Sequence, residues 1–166
     1  MIDRQKLGFI YTVEHLGIDG KVKSVEKVEN IIPVLGVNYI LSAALKAGAQ
    51  YSTWYIGLFT ANRSPVPSDT METFLADCAE SAAYGGTTRL EAVLPAVENG
   101  LITSQAAPAL FSFASAATIM GGFITSGVTI GNTSGLLISA VKFSSPKGIA
   151  AGESLRVPVG IALASV

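Results

Sequence analysis

The longest uncharged stretch of the chain is the feature that most constrains its fold. Between residues 99 and 141 there is no Asp, Glu, Lys, Arg or His. A membrane-spanning helix needs about 20 predominantly apolar residues in succession, and here Ser, Thr, Asn, Gln and Pro interrupt the apolar residues repeatedly. Gly127, Gly131 and Gly135 repeat at the spacing of a membrane-helix dimer face, but they stand among residues typical of turns. The stretch therefore predicts β-strands separated by turns, with no membrane span.

The composition favours a protein that works by binding other protein surfaces. Charged residues make up only 14% of the 166 residues, against about a quarter in a typical soluble domain. A monomer of this size needs a largely polar surface to stay dissolved, and so few charged residues provide little of it. We therefore expect partners to cover part of the surface, and we expect the chain itself to form a dimer or trimer. The net charge of −1 provides no basic field for nucleic acid. A single cysteine, Cys78, and a polar N-terminus predict synthesis and retention in a cytoplasm.

The first 33 residues predict a hairpin arm. Alternating residues from Leu7 to Val13 have strand periodicity, and Asp19-Gly20 is a favourable hairpin turn. The segment from Lys21 to Ile32 is interpreted as a bulged return strand with mixed charges, and Pro33 ends it. Residues 1–33 are therefore predicted to be an N-terminal arm and residues 34–166 a β-sandwich domain.

Two short helices are predicted in the domain, near residues 37–47 and 69–80. The first has an apolar stripe at helical spacing, with Asn38 as a possible cap and Gly48 as its end. That stripe consists of Val37, Ile40, Leu41, Ala44 and Leu45. The second begins at Ser68 or Asp69, with Glu72 in the position of a capping box. Its apolar stripe consists of Phe74, Leu75 and Cys78.

The remaining segments predict a mainly β fold. Residues 51–60 are apolar on both alternating faces and suit a strand buried on both sides, whereas residues 87–97 form a weaker strand pattern that Pro95 interrupts. Four further strands are predicted over residues 110–114, 119–125, 136–143 and 155–163. The last alternates clearly, but Pro158 cannot donate to a ladder and predicts an edge position or a bulge. We expect a jelly-roll-like β-sandwich.

Few residues have the pattern of a catalytic or metal site. His15 is the only histidine, so a histidine-based catalytic triad would have to contain it, and there is no second histidine to bind a metal ion with it. We interpret His15 as a surface residue near a turn. Cys78 lies close to acidic residues and is interpreted as a buried hydrophobe, not a reactive thiol. No phosphate-binding loop or nucleophile elbow is present. We predict no catalytic residue, no cofactor and no metal ligand.

Two further groups of residues are interpreted as structural. Asp69, Glu72, Asp77 and Glu80 form an acidic set. The first two suit the start of a helix and the others a solvated face, although such carboxylates also pair as acid and base or hold hard cations. Trp54, Tyr55 and Phe59 could stack on bases or sugars, but their alternation favours packing in the core.

Several segments, in order, give the chain a family resemblance between residues 50 and 160. They are residues 54–59 (WYIGLF), 121–124 (GGFI), 136–146 (LLISAVKFSSP) and 151–157 (AGESLRV). With these the sequence resembles small virion proteins of tailed bacteriophages, especially head decoration or cement proteins with a jelly-roll-like β-sandwich. Some short phage tail-fibre proteins have a similar closing pattern.

The resemblance implies a non-enzymatic function. A decoration protein binds the major capsid protein on the outer surface of the assembled head and stabilises the shell by its binding free energy. Such a protein would be made in the cytoplasm of the bacterial host and would reside in the virion. The alternative is a tail or tail-fibre component that takes part in host attachment, and the least favoured interpretation is a small hydrolase.

Overall fold

The computed structural model of the protein describes residues 8–162 and is mainly β, with two antiparallel sheets and two helices. The strands are β1 (Phe9–Leu16), β2 (Val22–Glu29), β3 (Tyr55–Phe59), β4 (Leu90–Glu91), β5 (Leu101–Thr103), β6 (Ala109–Ser112), β7 (Ala117–Thr125), β8 (Leu137–Ile149), β9 (Ser154–Val157) and β10 (Val159–Ala162). The helices are α1 (Val34–Leu45) and α2 (Met71–Cys78). The predicted β-sandwich is confirmed, and its jelly-roll character stays a prediction.

The first sheet is built around β1, which pairs with β2 on one side and with β9 and β10 on the other. β9 and β10 keep one register against β1, since Phe9 faces Ile161 and Glu14 faces Arg156. β5 and β6 pair in turn with β10 and β9. The predicted strand over residues 155–163 is therefore an interior strand, and the expected edge position or bulge is wrong.

Pro158 interrupts the ladder of this strand at one residue. The amide of Thr12 donates to the carbonyl oxygen of Pro158 at 3.0 Å, but proline has no N–H to return. On the other edge, the amide of Val159 donates to the Ser104 hydroxyl at 2.9 Å. The proline is tolerated inside the sheet because only one hydrogen bond is missing.

The second sheet has the order β4-β3-β7-β8. Its longest strand, β8, contains a large bulge in which residues 143–146 stand opposite Met120 alone, because Ile119 faces Lys147 and Gly121 faces Lys142. Bulges bend the strand that carries them. Here the bulge presents the amide of Ser144 to the Glu26 carboxylate on β2, at 2.6 Å.

The core lies between the two sheets and contains a polar contact that joins them. Buried side chains of β1, β9 and β10 face those of β3, β7 and β8. Within this core the Tyr11 hydroxyl is 2.6 Å from that of Ser139, which also accepts from the Asn30 amide at 2.5 Å. Burial raises the pKa of Tyr11 above its usual range, so the phenol stays neutral and joins β1 to β8 by a hydrogen bond.

The hairpin of β1 and β2 is confirmed, but its separation as an arm is wrong. The two strands pair from Ile10 to Leu16 as the turn predicts. However, Phe9, Tyr11 and Val13 belong to the main core, and β1 lies inside the first sheet. The hairpin therefore continues the sandwich across Pro33. Residues 1–7 of the predicted arm, including Leu7, lie outside the described residues, as does Leu163 at the end of the last predicted strand.

The helices are close to their predicted positions, but their caps differ. α1 begins after Pro33 and ends before Lys46, so Asn38 lies inside it and is no cap. α2 begins after Thr70, whose hydroxyl accepts from the amide of Thr73 at 3.2 Å while the Thr73 hydroxyl accepts from the amide of Thr70. This threonine pair replaces the predicted cap at Ser68 or Asp69, because the Asp69 carboxylate binds Arg63 instead.

The uncharged stretch forms β5, β6, β7 and the beginning of β8. Most of its large apolar side chains are buried, with Phe111, Phe123 and Leu137 among them. One core therefore hides much of the stretch. The weaker pattern at residues 87–97 contributes only β4, and β5 was not predicted. Among the described residues, no helix has the length and apolar character to cross a membrane.

Candidate functional site

His15 is buried in an ion-paired cluster at the end of the hairpin, contrary to the expectation of a surface residue. Its Nε2 lies 2.8 Å from the Glu153 carboxylate, which also accepts from Lys23 Nζ at 2.7 Å and from the amide of Ala150 at 3.0 Å. The Lys23 contact, the Ala150 amide and His15, in that order of effect, lower the pKa of Glu153 from 4.5 to about 2. The cluster joins β1 and β2 to the turn between β8 and β9.

Cys78 is buried in the second core cluster, with Phe74 and Phe123. Burial, and then the nearby charge of Glu80, raise the pKa of its thiol to about 12. The thiol is therefore protonated at neutral pH and serves as a small core side chain.

The acidic set divides between two ion pairs and an exposed helix surface. Asp69 is buried and accepts two hydrogen bonds from Arg63, at 2.5 and 2.8 Å. Glu80 is buried against Arg89, which corrects its assignment to a solvated face. Glu72 and Asp77 are exposed on α2. Among residues 8–162, no group of three or more acidic, histidine or cysteine side chains is arranged to hold a metal ion.

Arg89 fixes the loop that joins β7 to β8. Its guanidinium donates to Glu80 at 2.7 and 2.9 Å and to the carbonyl oxygens of Gly127 and Asn132 at 2.7 and 3.2 Å. Glu80 accepts in return from the amide of Gly131 at 2.7 Å. The predicted turns at Gly131 and Gly135 are present, with φ of 75° and 109°. The sequence patterns did not indicate this clamp, because its partners are up to 51 residues apart.

The charges of the hairpin are largely paired within the chain. Besides Lys23 with Glu153, Glu26 pairs with Lys147 on β8, and Glu14 with Arg156 on β9. Several of the charged side chains in residues 21–29 therefore form ion pairs that stabilise the fold.

The outward side of α1 is the main exposed apolar feature. We call it the outer helix face and define it as Val34, Leu35, Val37, Asn38, Leu41 and Leu45. Gly36 lies on the opposite side, where an added Cβ would come within 3.1 Å of the Ile138 carbonyl oxygen. This close approach holds α1 against β8. Of the predicted apolar stripe, Leu41 and Leu45 are exposed, whereas Ile40 packs against the core.

Aromatic residues support α1 from beneath. Tyr39, Tyr51 and Trp54 form a cluster with ring centroids 5.4 to 5.6 Å apart, and the Tyr39 hydroxyl accepts from the amide of Tyr51 at 2.8 Å. Trp54 and Tyr55 are half-buried and Phe59 is fully buried. Trp54 and Phe59 therefore serve packing, as their alternation predicts.

A second apolar surface lies on the outside of the first sheet. We call it the outer sheet face and define it as Ile10, Leu101, Leu110 and Pro158. Of these, Ile10, Leu101 and Pro158 line an open cleft of about 270 Å³. Ile10, Leu101 and Leu110 are each about half exposed. The chain thus presents two apolar surfaces, while His15, Cys78 and Glu80 are engaged in its own fold.

The chain matches no protein family, no curated protein and no solved structure.

Proposed function

We propose that the chain is a non-enzymatic virion structural subunit, a head decoration or cement protein that binds the assembled shell of a tailed bacteriophage. The observation that carries this proposal is the combination of exposed apolar surfaces with internally engaged polar groups. His15, Cys78 and Glu80 are each held in structural contacts, whereas α1 and the outer sheet face expose large apolar side chains. Such patches are typical of protein interaction sites.

The proposal draws its specific partner from the sequence resemblance. A subunit that binds only the assembled lattice stabilises it by mass action, and many identical sites add their contributions. The major capsid protein is the partner in this proposal. The clamped β7–β8 loop and the ion-paired turns suit a rigid subunit, since a preorganised surface loses little conformational entropy on binding.

Localisation on the particle tests the proposal. The chain is produced during infection by a tailed phage that encodes it, and purified particles are mapped by cryo-electron microscopy. We expect density on the outer surface of the head, and heads without the chain should break at a lower temperature. Density confined to the tail would support the alternative function in host attachment. Absence from the particle would contradict both functions.

A further inference from the structure

We propose that the outer helix face is a self-association site, at which α1 packs against α1 of a second copy of this chain across a two-fold axis. This inference goes beyond the proposed function, because self-association in solution requires no particle. It rests on the spacing of the exposed residues, on their lack of charge, on the one polar side chain among them, and on the apolar area that they expose.

The spacing is that of a helix-packing seam. Val34, Asn38, Leu41 and Leu45 stand at positions i, i+4, i+7 and i+11, so they lie along one side of α1. Gly36 and Ile40 lie on the other side, toward β8 and the core. A seam with this period suits a second helix.

The charge distribution favours a partner of the same kind. α1 contains no charged residue, and Lys46 is the only charge between residues 30 and 62. Two copies of this surface therefore meet without like-charge repulsion and without burying an unpaired ion, which costs several kcal/mol. A charged partner would find no complementary group on the seam.

Asn38 supplies a specific reason for a second copy. It is exposed and lies in the middle of the seam, between Val34 and Leu41. An amide side chain both donates and accepts hydrogen bonds, so Asn38 is complementary to Asn38 of the second copy. A two-fold axis brings each residue near it opposite its own equivalent, and a single Asn in an apolar seam fixes register and oligomeric state.

The apolar area is sufficient. Leu41 is 53% exposed and Leu45 75%, and Val34, Leu35 and Val37 are between one-third and just over one-half exposed. Together they expose on the order of 450 Å² of apolar surface, within the range in which such patches are often functional. Two facing copies cover roughly 900 Å², and Asn38, Ser42 and the neighbouring Tyr51 bring the total to about the 1,000 Å² that a specific interface needs.

The test compares two leucines of nearly equal exposure on different surfaces of the full chain. Leu41 is 53% exposed on α1 and Leu110 is 50% exposed on the outer sheet face. By light scattering and sedimentation, we expect the unmodified chain to have twice its 17.1 kDa mass. Leu41→Glu should reduce the mass to that of one chain, and the control Leu110→Glu should leave the dimer intact. Circular dichroism checks that both variants are folded.

A second variant makes the test independent of how Leu41→Glu folds. Asn38→Cys places a thiol beside the proposed axis, and the native Cys78 is buried. Under mild oxidation we expect a reducible cross-linked dimer in most of the protein, whereas Leu110→Cys should cross-link to a much smaller extent.

Four results would overturn the proposal. The first two are a mass of one chain, or of three chains, for the unmodified protein at high concentration. The third is dissociation of the dimer by Leu110→Glu but not by folded Leu41→Glu. The fourth is failure of Asn38→Cys to form a cross-linked dimer. If the unmodified chain is monomeric and Leu41→Glu abolishes binding to phage heads, α1 binds the shell instead. These measurements use protein in solution. A result against the dimer therefore does not contradict the proposed decoration function, which is tested separately by localisation on the particle.

Discussion

Val157 and Arg156 are neighbouring residues on opposite sides of β9, and they test the register of this strand. Val157 is fully buried in the main core, whereas Arg156 is partly exposed and pairs with Glu14. Val157→Asp would bury an unpaired carboxylate, and we expect it to lower the free energy of unfolding by several kcal/mol or to prevent folding. Arg156→Asp should cost about 1 kcal/mol. Urea unfolding of the two variants measures the difference, and equal losses would contradict this register.

Arg89 provides a second prediction about a single residue. Its side chain is fully buried against Glu80, so Arg89→Met removes the charged partner of a buried carboxylate and the donor to two loop carbonyl groups. Removing one partner of a buried pair costs about 3–5 kcal/mol. Lys21→Met, in the exposed pair with Asp19 at 3.4 Å, is the matched control and should cost less than about 1 kcal/mol. Thermal unfolding that is similar for both variants would show that the clamp contributes little.

At the residue scale, the sequence predicted the burial of apolar side chains better than the ion pairs of buried polar ones. The apolar character of Cys78 was clear from its helical stripe, and its burial is confirmed. The ion pairs were not predictable, because Glu153 lies 138 residues from His15 and Glu80 lies nine residues from Arg89 across an irregular segment. Pairing of this kind depends on the tertiary fold, and local periodicity contains no information about it.

At the scale of elements, the position of β1 inside the first sheet makes the hairpin necessary for folding. Deleting residues 1–32 takes Phe9, Tyr11 and Val13 out of the core and leaves β9 and β10 without their neighbour. We expect a chain without near-ultraviolet circular dichroism and without a cooperative unfolding transition. Val25→Ala, an exposed change on β2, should unfold close to the unmodified chain. A truncated chain that unfolds cooperatively would mean that the hairpin is a separate arm after all.

The elements that alternate strictly were the predictable ones. β1 and the strand formed by β9 and β10 follow a period of two, because one face of each is buried. α1 was located correctly, but its surroundings were not predictable, since an apolar stripe indicates a helix without showing which partner covers it. β5 has three residues, which is too short for a period to be seen.

For the molecule as a whole, Glu153 predicts how stability depends on pH. Its pKa is lowered to about 2 in the folded chain, so its contribution is complete above the ordinary value of 4.5 and is lost as the pH falls toward 2. We expect thermal stability to decrease between about pH 4.5 and pH 2, and Glu153→Gln to flatten that decrease. Lys23→Met should flatten it partly, because Lys23 has the largest effect on this carboxylate. Identical pH profiles for the three proteins would contradict this assignment.

The fold class was predictable for the whole molecule, but its division was not. Many short segments of strand length predicted a mainly β fold, and the structure has it. Pro33 suggested a boundary because proline ends strands, yet Ile31 continues into a bridge with Ala140 of the second sheet. The chain thus passes from one sheet to the other at the position where the sequence indicated a break between two units.

The place of β1 between β2 and the last described strand affects how the protein is made in a cell. Phe9 faces Ile161, so the first sheet closes only after the ribosome has synthesised nearly all of the intervening chain. At 5–20 residues per second this takes on the order of ten seconds. During this time the apolar side of the nascent hairpin has no sheet to cover it, and a two-stranded hairpin alone is marginally stable. We therefore expect an aggregation-prone intermediate during translation. The yield of native protein should then depend on chaperones and on growth temperature.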